Sequence, residues 1–218
     1  HPHGQVWALD YVPTEPMKVM KSMHEFSADP ANEHAPGPRH PHGRPHLLLA
    51  YAHMELHAPG RPRVVTLNHD FVALVPFWAV WPFEIMVLPY KRFLGSLQDF
   101  TEAEISSLAH ILGEVTCRYD NLFRTSFPYS MGIHQKPVPH AQDSLASYAL
   151  FHIHFYPPLL RSATVRKFLV GYVFLHASLT LGLKCWQSHN GISPQKVRRK
   201  DYEHAIRHTT SPVTRVHN

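Results

Sequence analysis

At 218 residues and 25.0 kDa, with 44% hydrophobic and 17% charged residues, the chain can bury one proper core with a small annex, and it is not a disordered polymer. It contains no apolar run long enough for a membrane span. The net charge of +5 comes entirely from residues 184–218, so the rest of the chain has no basic footprint for nucleic acid.

The chain opens on His1-Pro2-His3-Gly4, followed by QVWALDYV (5–12), a stretch of β-formers that meets Pro13 and Pro16. This predicts a strand ending in a loop. No initiator Met, basic leader or apolar leader core precedes the motif, so the expectation is a chain without its natural N-terminal part. Strand alternation puts His1, His3, Gln5 and Trp7 on one side. A neutral imidazole is a competent nucleophile near pH 7, and an adjacent amide can donate to a developing phosphoryl oxygen without adding charge.

Residues 24–46 mix Pro, Gly, His and Ala with no apolar period, which predicts a surface loop. The tetrapeptide HPHG recurs there at residues 40–43 with no strand behind it, so an exposed loop is expected. A loose metal site built from His34, His40, His42 and His46 is the alternative.

Regular structure is expected to resume with RVVTL (63–67) and FVALVP (71–76), joined by a turn at Asn68-His69-Asp70, and with EIMVLP (84–89) as a third strand. Between them PFWAVWPF (76–83) reads as an irregular, packed crossing. Thr101 and Glu104 form a capping box, with Phe100 and Ile105 placed for a hydrophobic staple. Ile105, Leu108, Leu112 and Val115 then mark the buried face of a helix from about residue 102 to Tyr119.

In YALFHIHFY (148–156) Tyr148, Leu150, His152, His154 and Tyr156 share one face of a strand that Pro157-Pro158 ends. His152 and His154, two apart, can share a divalent ion, and His134 from a loop can complete a three-histidine face; hydrogen-bonded core histidines are the competing reading. Residues 162–182 read as strand over VRKFLVGYV and as helix from Phe174 to Leu183, after which no element is clear. Strands followed by helices on a mainly antiparallel sheet indicate α+β. Cys117 and Cys185 make neither a disulfide framework nor a metal knuckle, so a reducing, cytoplasmic location is expected.

The stretches HPHGQVWA, VPFWAVWPFE, RYDNLF, SFPYSMGIH and HFYPPLLRSATVRKFLVGY, in that order, resemble galactose-1-phosphate uridylyltransferase, a family of the histidine-triad superfamily. HGRPHLLLAYAHMEL and SMGIHQKP look closer to its fungal members than to bacterial or animal ones. The resemblance implies a histidine-triad-like antiparallel sheet with flanking helices, one nearly complete half plus the last strand of the other. Residues 1–23 would then end the N-terminal half, 24–46 form the loop, 47–183 the C-terminal half and 184–218 a divergent basic tail.

It further implies that His3 is the nucleophile and Gln5 its phosphoryl-binding neighbour. His1 matches a zinc ligand. His134, His152 and His154 match a second metal site, zinc or iron, regarded as structural. Lys167, Phe168, Val170 and Tyr172 match the segment contacting the sugar nucleotide. The implied partners are UDP-glucose and galactose 1-phosphate, exchanged in galactose catabolism, with a homodimer as the assembly. The chain departs from the family where Val19 replaces a metal-binding Glu, and where Val173 and Leu179 replace sugar-contacting Glu and Gln. A non-catalytic remnant that folds and dimerises, a His-rich metal-binding protein and a dinucleotide phosphorylase are the competing readings.

Overall fold

The computed structural model describes residues 11–79, 82–138 and 144–157. Five strands form one antiparallel sheet: β1 (Val64–Leu67), β2 (Phe71–Leu74), β3 (Ile85–Pro89), β4 (Ser130–His134) and β5 (His152–Tyr156), in the order β1-β2-β3-β5-β4. Helices α1 (Thr14–Ala28), α2 (Leu47–His57) and α3 (Glu102–Phe123) flank it. The class is α+β, as expected.

Strand alternation sorts the core into two layers. Val72, Leu74, Met86 and Leu88 point to the side covered by α1 and α2. Phe71, Ala73, Ile85, Val87, Ile153 and Phe155 point to α3. β2 and β3 are buried along their whole length because both faces are covered. The hairpin turn is where the sequence puts it: Asn68 Oδ1 accepts the backbone N–H groups of Asp70 (3.1 Å) and Phe71 (2.9 Å), the local bonding that makes Asn a turn residue.

The capping box of α3 is closed in both directions: Thr101 Oγ1 accepts from the Glu104 amide, and the Glu104 carboxylate accepts from the Thr101 amide. Glu104 also takes two guanidinium N–H bonds from Arg92, each 2.7 Å. Those bonds, first among the causes, hold its carboxyl down at about 2. The buried face differs by one register from the expected one. It runs Leu108, Ile111, Val115 and Tyr119, while Ile105 is 52% exposed and Phe100 packs on the rings of Phe71 and Phe151.

Three elements depart from expectation. α1 occupies a stretch read as loop, because Pro13 is its N-cap and Pro16 falls in its first turn, where a missing N–H costs nothing. α1 also runs through the expected domain boundary at 23/24, burying Met23, Phe26 and Ser27 on either side of a fixed helical axis. α2 begins with six consecutive buried residues, Leu47 to Ala52; a helix apolar all round has no period to read. β4 was read as loop because its alternation is broken by Gly132. The strand expected over 148–156 is confined to 152–156, since Ser144–Tyr148 forms a 3₁₀ turn.

The crossing at 76–83 is pinned from both layers. Tyr51 Oη accepts the Phe77 amide at 2.8 Å from the α2 side. From the α3 side Tyr119 Oη donates to the Phe83 carbonyl at 2.6 Å. Phe83 has φ +63°, a region costly for a bulky residue, so the tyrosine clamp holds a strained corner just before β3. No helix among the described residues is long and apolar enough to cross a membrane.

Candidate functional site

β4 and β5 place His134 directly opposite His152, and β3 and β5 place Met86 opposite His154. Since side chains alternate along β5, His152 and His154 emerge on the same face, the one covered by α1 and α2. The three expected histidines are therefore together, with the third supplied by a strand and not by a loop. The His134 ring lies on the His152 ring at 4.6 Å between centroids and 6° between planes. His154 stands nearly perpendicular to both, 5.5 Å from His134 and 5.4 Å from His152. Tyr156 stacks on the far side of His154 at 5.3 Å.

The hydrogen bonds of this group are incomplete. His152 Nδ1–H donates to the Leu150 carbonyl at 2.7 Å, which fixes its tautomer and leaves the Nε2 lone pair bare. His152 Nε2 is buried without a hydrogen-bond partner, as are both ring nitrogens of His154. Burial, and then the neighbouring imidazoles, keep His152 neutral well below the usual range. Neutral imidazoles with buried, unshared lone pairs are what a divalent ion of borderline softness binds. As the rings stand, no three His, Cys, Asp or Glu side chains among the described residues already converge as a ligand set.

Val19, on the buried face of α1, lines a cavity of about 280 Å³ together with Met20, Met23, Leu150, His134 and His152. The side of the cavity formed by α1 is thus apolar, while Gln135 and Lys136 also line it. Two residues not anticipated from sequence complete the surroundings. Glu84 is fully buried, with Oε1 3.6 Å from His154 Nδ1. A carboxylate at the head of an otherwise apolar strand was the available signal. His46 is fully buried as well, and its Nε2–H donates to the Tyr148 carbonyl at 2.9 Å.

The second HPHG is a loop with Pro41, His42 and Gly43 exposed, as its composition suggested, but its first histidine is buried. His40 is 3% exposed, donates through Nε2 to the Ser147 carbonyl at 2.9 Å, and accepts the His42 amide on Nδ1 at 3.2 Å. Its ring stacks on Tyr148 at 4.7 Å. The segment folds back on itself through an Arg39–Pro45 bridge, and Ser27 Oγ of α1 donates to the Pro45 carbonyl at 2.6 Å. His34 and His42 are exposed, while the His40 ring lies 4.6 Å from that of His42 and 6.3 Å from that of His46 between centroids. His1, His3, Gln5, Lys167, Phe168, Val170, Tyr172, Val173 and Leu179 lie outside the described residues.

The model of the galactose-1-phosphate uridyl transferase C-terminal domain family matches residues 30–182. A galactose-1-phosphate uridylyltransferase of Kluyveromyces lactis is 51% identical over 175 residues, which cover 80% of this chain and 43% of that protein. One from Cryptococcus neoformans is 48% identical over 176 residues, covering 80% and 42%. One from Rattus norvegicus is 42% identical over 175 residues, covering 80% and 42%. The chain therefore spans about two fifths of the length of these relatives. Among solved structures, a uridylyltransferase superposes with a TM-score of 0.55 at 22% identity, covering 85% of this chain and 55% of that one, a likeness of fold.

Proposed function

The chain belongs to the galactose-1-phosphate uridylyltransferase family, and from that premise we propose that it is part of a UDP-glucose:hexose-1-phosphate uridylyltransferase. The observation that carries the reading is the 51% identity to a relative of that name. The HPHGQ sequence supplies the groups the reaction needs.

In the proposed reaction His3 attacks the uridylyl phosphorus of UDP-glucose with its ring nitrogen lone pair. The P–O bond to glucose 1-phosphate breaks, and that product leaves with the bonding electrons. A phosphate oxygen of galactose 1-phosphate then attacks the same phosphorus, the P–N bond breaks, and UDP-galactose forms with His3 restored. A neutral nucleophile suits an anionic phosphodiester because it adds no repulsion, and the covalent intermediate splits one hard displacement into two in-line ones. Gln5 would donate to the phosphoryl oxygens, and Lys167, Phe168, Val170 and Tyr172 would contact the sugar nucleotide. The assembly is a homodimer and the compartment cytoplasmic in this reading.

His134, His152 and His154 would hold zinc or iron, and His1 would contribute to a separate zinc site. The bare, buried nitrogens of His152 and His154 support the first of these. A metal there would tie β4 to β5 and supply structural cross-linking, with no part in the transfer step. One observation favours a second reading, a chain that folds and associates without turnover: Val19 presents a methyl surface to the cavity that His134 and His152 share.

The test is covalent labelling. Joined to the N-terminal portion of a relative and incubated with uridylyl-labelled UDP-glucose, the protein should carry about one label per chain, and His3→Ala should carry none. Label that persists in His3→Ala moves the nucleophile elsewhere. No label in the unsubstituted protein favours the non-catalytic reading.

A further inference from the structure

We propose that Glu84 is the positioning residue for His154. It accepts the Nδ1–H of that imidazole and so leaves Nε2 as the nitrogen offered to a divalent ion. The inference rests on the metal reading of the His134, His152 and His154 group, and it adds a residue and a role to it.

The geometry carries it in three steps. First, the two groups face each other in a dry place: Glu84 and His154 are both 0% exposed, and Oε1 lies 3.6 Å from Nδ1. That is ion-pair distance, and closing it by less than about 1 Å gives an ordinary hydrogen bond. Second, register aims the carboxylate. Glu84 shares the face of Met86, which sits opposite His154 in the β3–β5 ladder, so Glu84 lies on the diagonal from that imidazole. Its backbone is held because the preceding Phe83, at φ +63°, gives its carbonyl to Tyr119 Oη at 2.6 Å. Third, chemistry assigns the roles. A carboxylate behind a metal-ligating imidazole accepts the N–H that faces it, which leaves the other ring nitrogen to present a lone pair.

The arrangement also answers a question of charge. Three imidazole ligands bring no negative charge to a divalent ion, and Val19 brings none either. A buried carboxylate one residue-length behind His154 supplies it without entering the coordination sphere. His152 is held in the same sense by a different acceptor, the Leu150 carbonyl on its Nδ1–H. Two of the three histidines would thus be set by groups behind them to offer the same nitrogen, Nε2.

The experiment reads the His154 tautomer directly. In metal-free, ring-¹⁵N-labelled protein, nitrogen chemical shifts should show His154 protonated on Nδ1. Glu84→Gln, whose amide oxygen still accepts, should keep that tautomer, and Glu84→Leu should lose it. Zinc affinity, measured by competition with a chromophoric chelator, should fall about 10–100-fold in Glu84→Leu and recover by most of that factor in Glu84→Gln. Wild-type His154 protonated on Nε2 overturns the proposal, as does an unchanged tautomer in Glu84→Leu; the wild-type spectrum decides even if the leucine variant does not fold. Failure of the metal reading is a separate result: full metal content in His152→Ala refutes that reading and leaves the tautomer measurement standing.

Discussion

Two buried groups of histidines sit on the same side of this sheet, and they differ in where their nitrogens go. In the group around Tyr148, His40 uses both nitrogens, one on the Ser147 carbonyl and one on the His42 amide, while His46 donates to the Tyr148 carbonyl and keeps Nδ1 buried without a partner. In the group on β4 and β5, His152 Nε2 and both nitrogens of His154 are buried with no hydrogen-bond partner. Burying a polar atom without a partner costs about 1–3 kcal/mol, so a fold that does it repeatedly in one place is holding those atoms for something else. A count of histidines cannot separate the two groups, and neither can burial. The number of nitrogens left bare does, one on His46 against three on His152 and His154.

The sharpest way to break that contrast is to remove one imidazole from each group and read metal content. His152→Ala should lower zinc affinity by about 3–4 kcal/mol, several hundred-fold, which is the share of one ligand in a structural zinc site. His40→Ala should leave affinity within about twofold while costing about 1 kcal/mol of stability from its lost hydrogen bonds. Equilibrium dialysis followed by metal analysis checks both. Equal losses in the two variants would erase the distinction, and loss in His40→Ala alone would reverse it.

The second test uses protons as the probe. Burial holds His46 down to about 4, against about 6.5 for an exposed imidazole. The unfolded chain therefore binds a proton at this residue between those values while the folded chain does not. Stability from this residue is complete above about pH 6.5 and falls as the pH drops towards 4, by at most about 3 kcal/mol. His46→Leu should flatten the stability profile across that window in urea titrations at successive pH values, whatever its effect at pH 7. A slope that survives the substitution would place the acid sensitivity in other groups.

The sequence made some of this legible and hid the rest for identifiable reasons. The β1–β2 hairpin, β3, the α3 capping box and the shared face of His152 and His154 are local patterns, and local patterns can be read from neighbours in the chain. α1 was hidden because Pro13 and Pro16 look like breakers unless they are known to stand at a helix start. α2 was hidden because its first six residues are apolar and all buried, which leaves no polar stripe to read there. Ser27 folding against Pro45, and His40 against Ser147, are contacts across 18 and 107 residues, and composition says nothing about partners that far away. The site divides in the same way. His134, His152 and His154 were named from spacing and resemblance, whereas Glu84 owes its place to the β3–β5 pairing and to a strained corner at Phe83.

The smallest effect expected is also the most diagnostic, because it should change sign with the metal. Val19 is 7% exposed and lines the cavity beside His134 and His152. Val19→Glu puts a carboxylate there. Without metal, the carboxylate replaces the buried apolar contacts of Val19 and is partly desolvated, so the variant should unfold several degrees below the parent. With zinc, the same carboxylate becomes a fourth ligand, so affinity should rise about tenfold and the melting temperature should climb above the parent's at saturating metal. The corresponding change in the other group, a carboxylate introduced next to His40, faces an imidazole whose two nitrogens are both hydrogen-bonded and should destabilise in both conditions. A Val19→Glu protein that is less stable with and without zinc would mean that the imidazoles of β4 and β5 are held for packing alone.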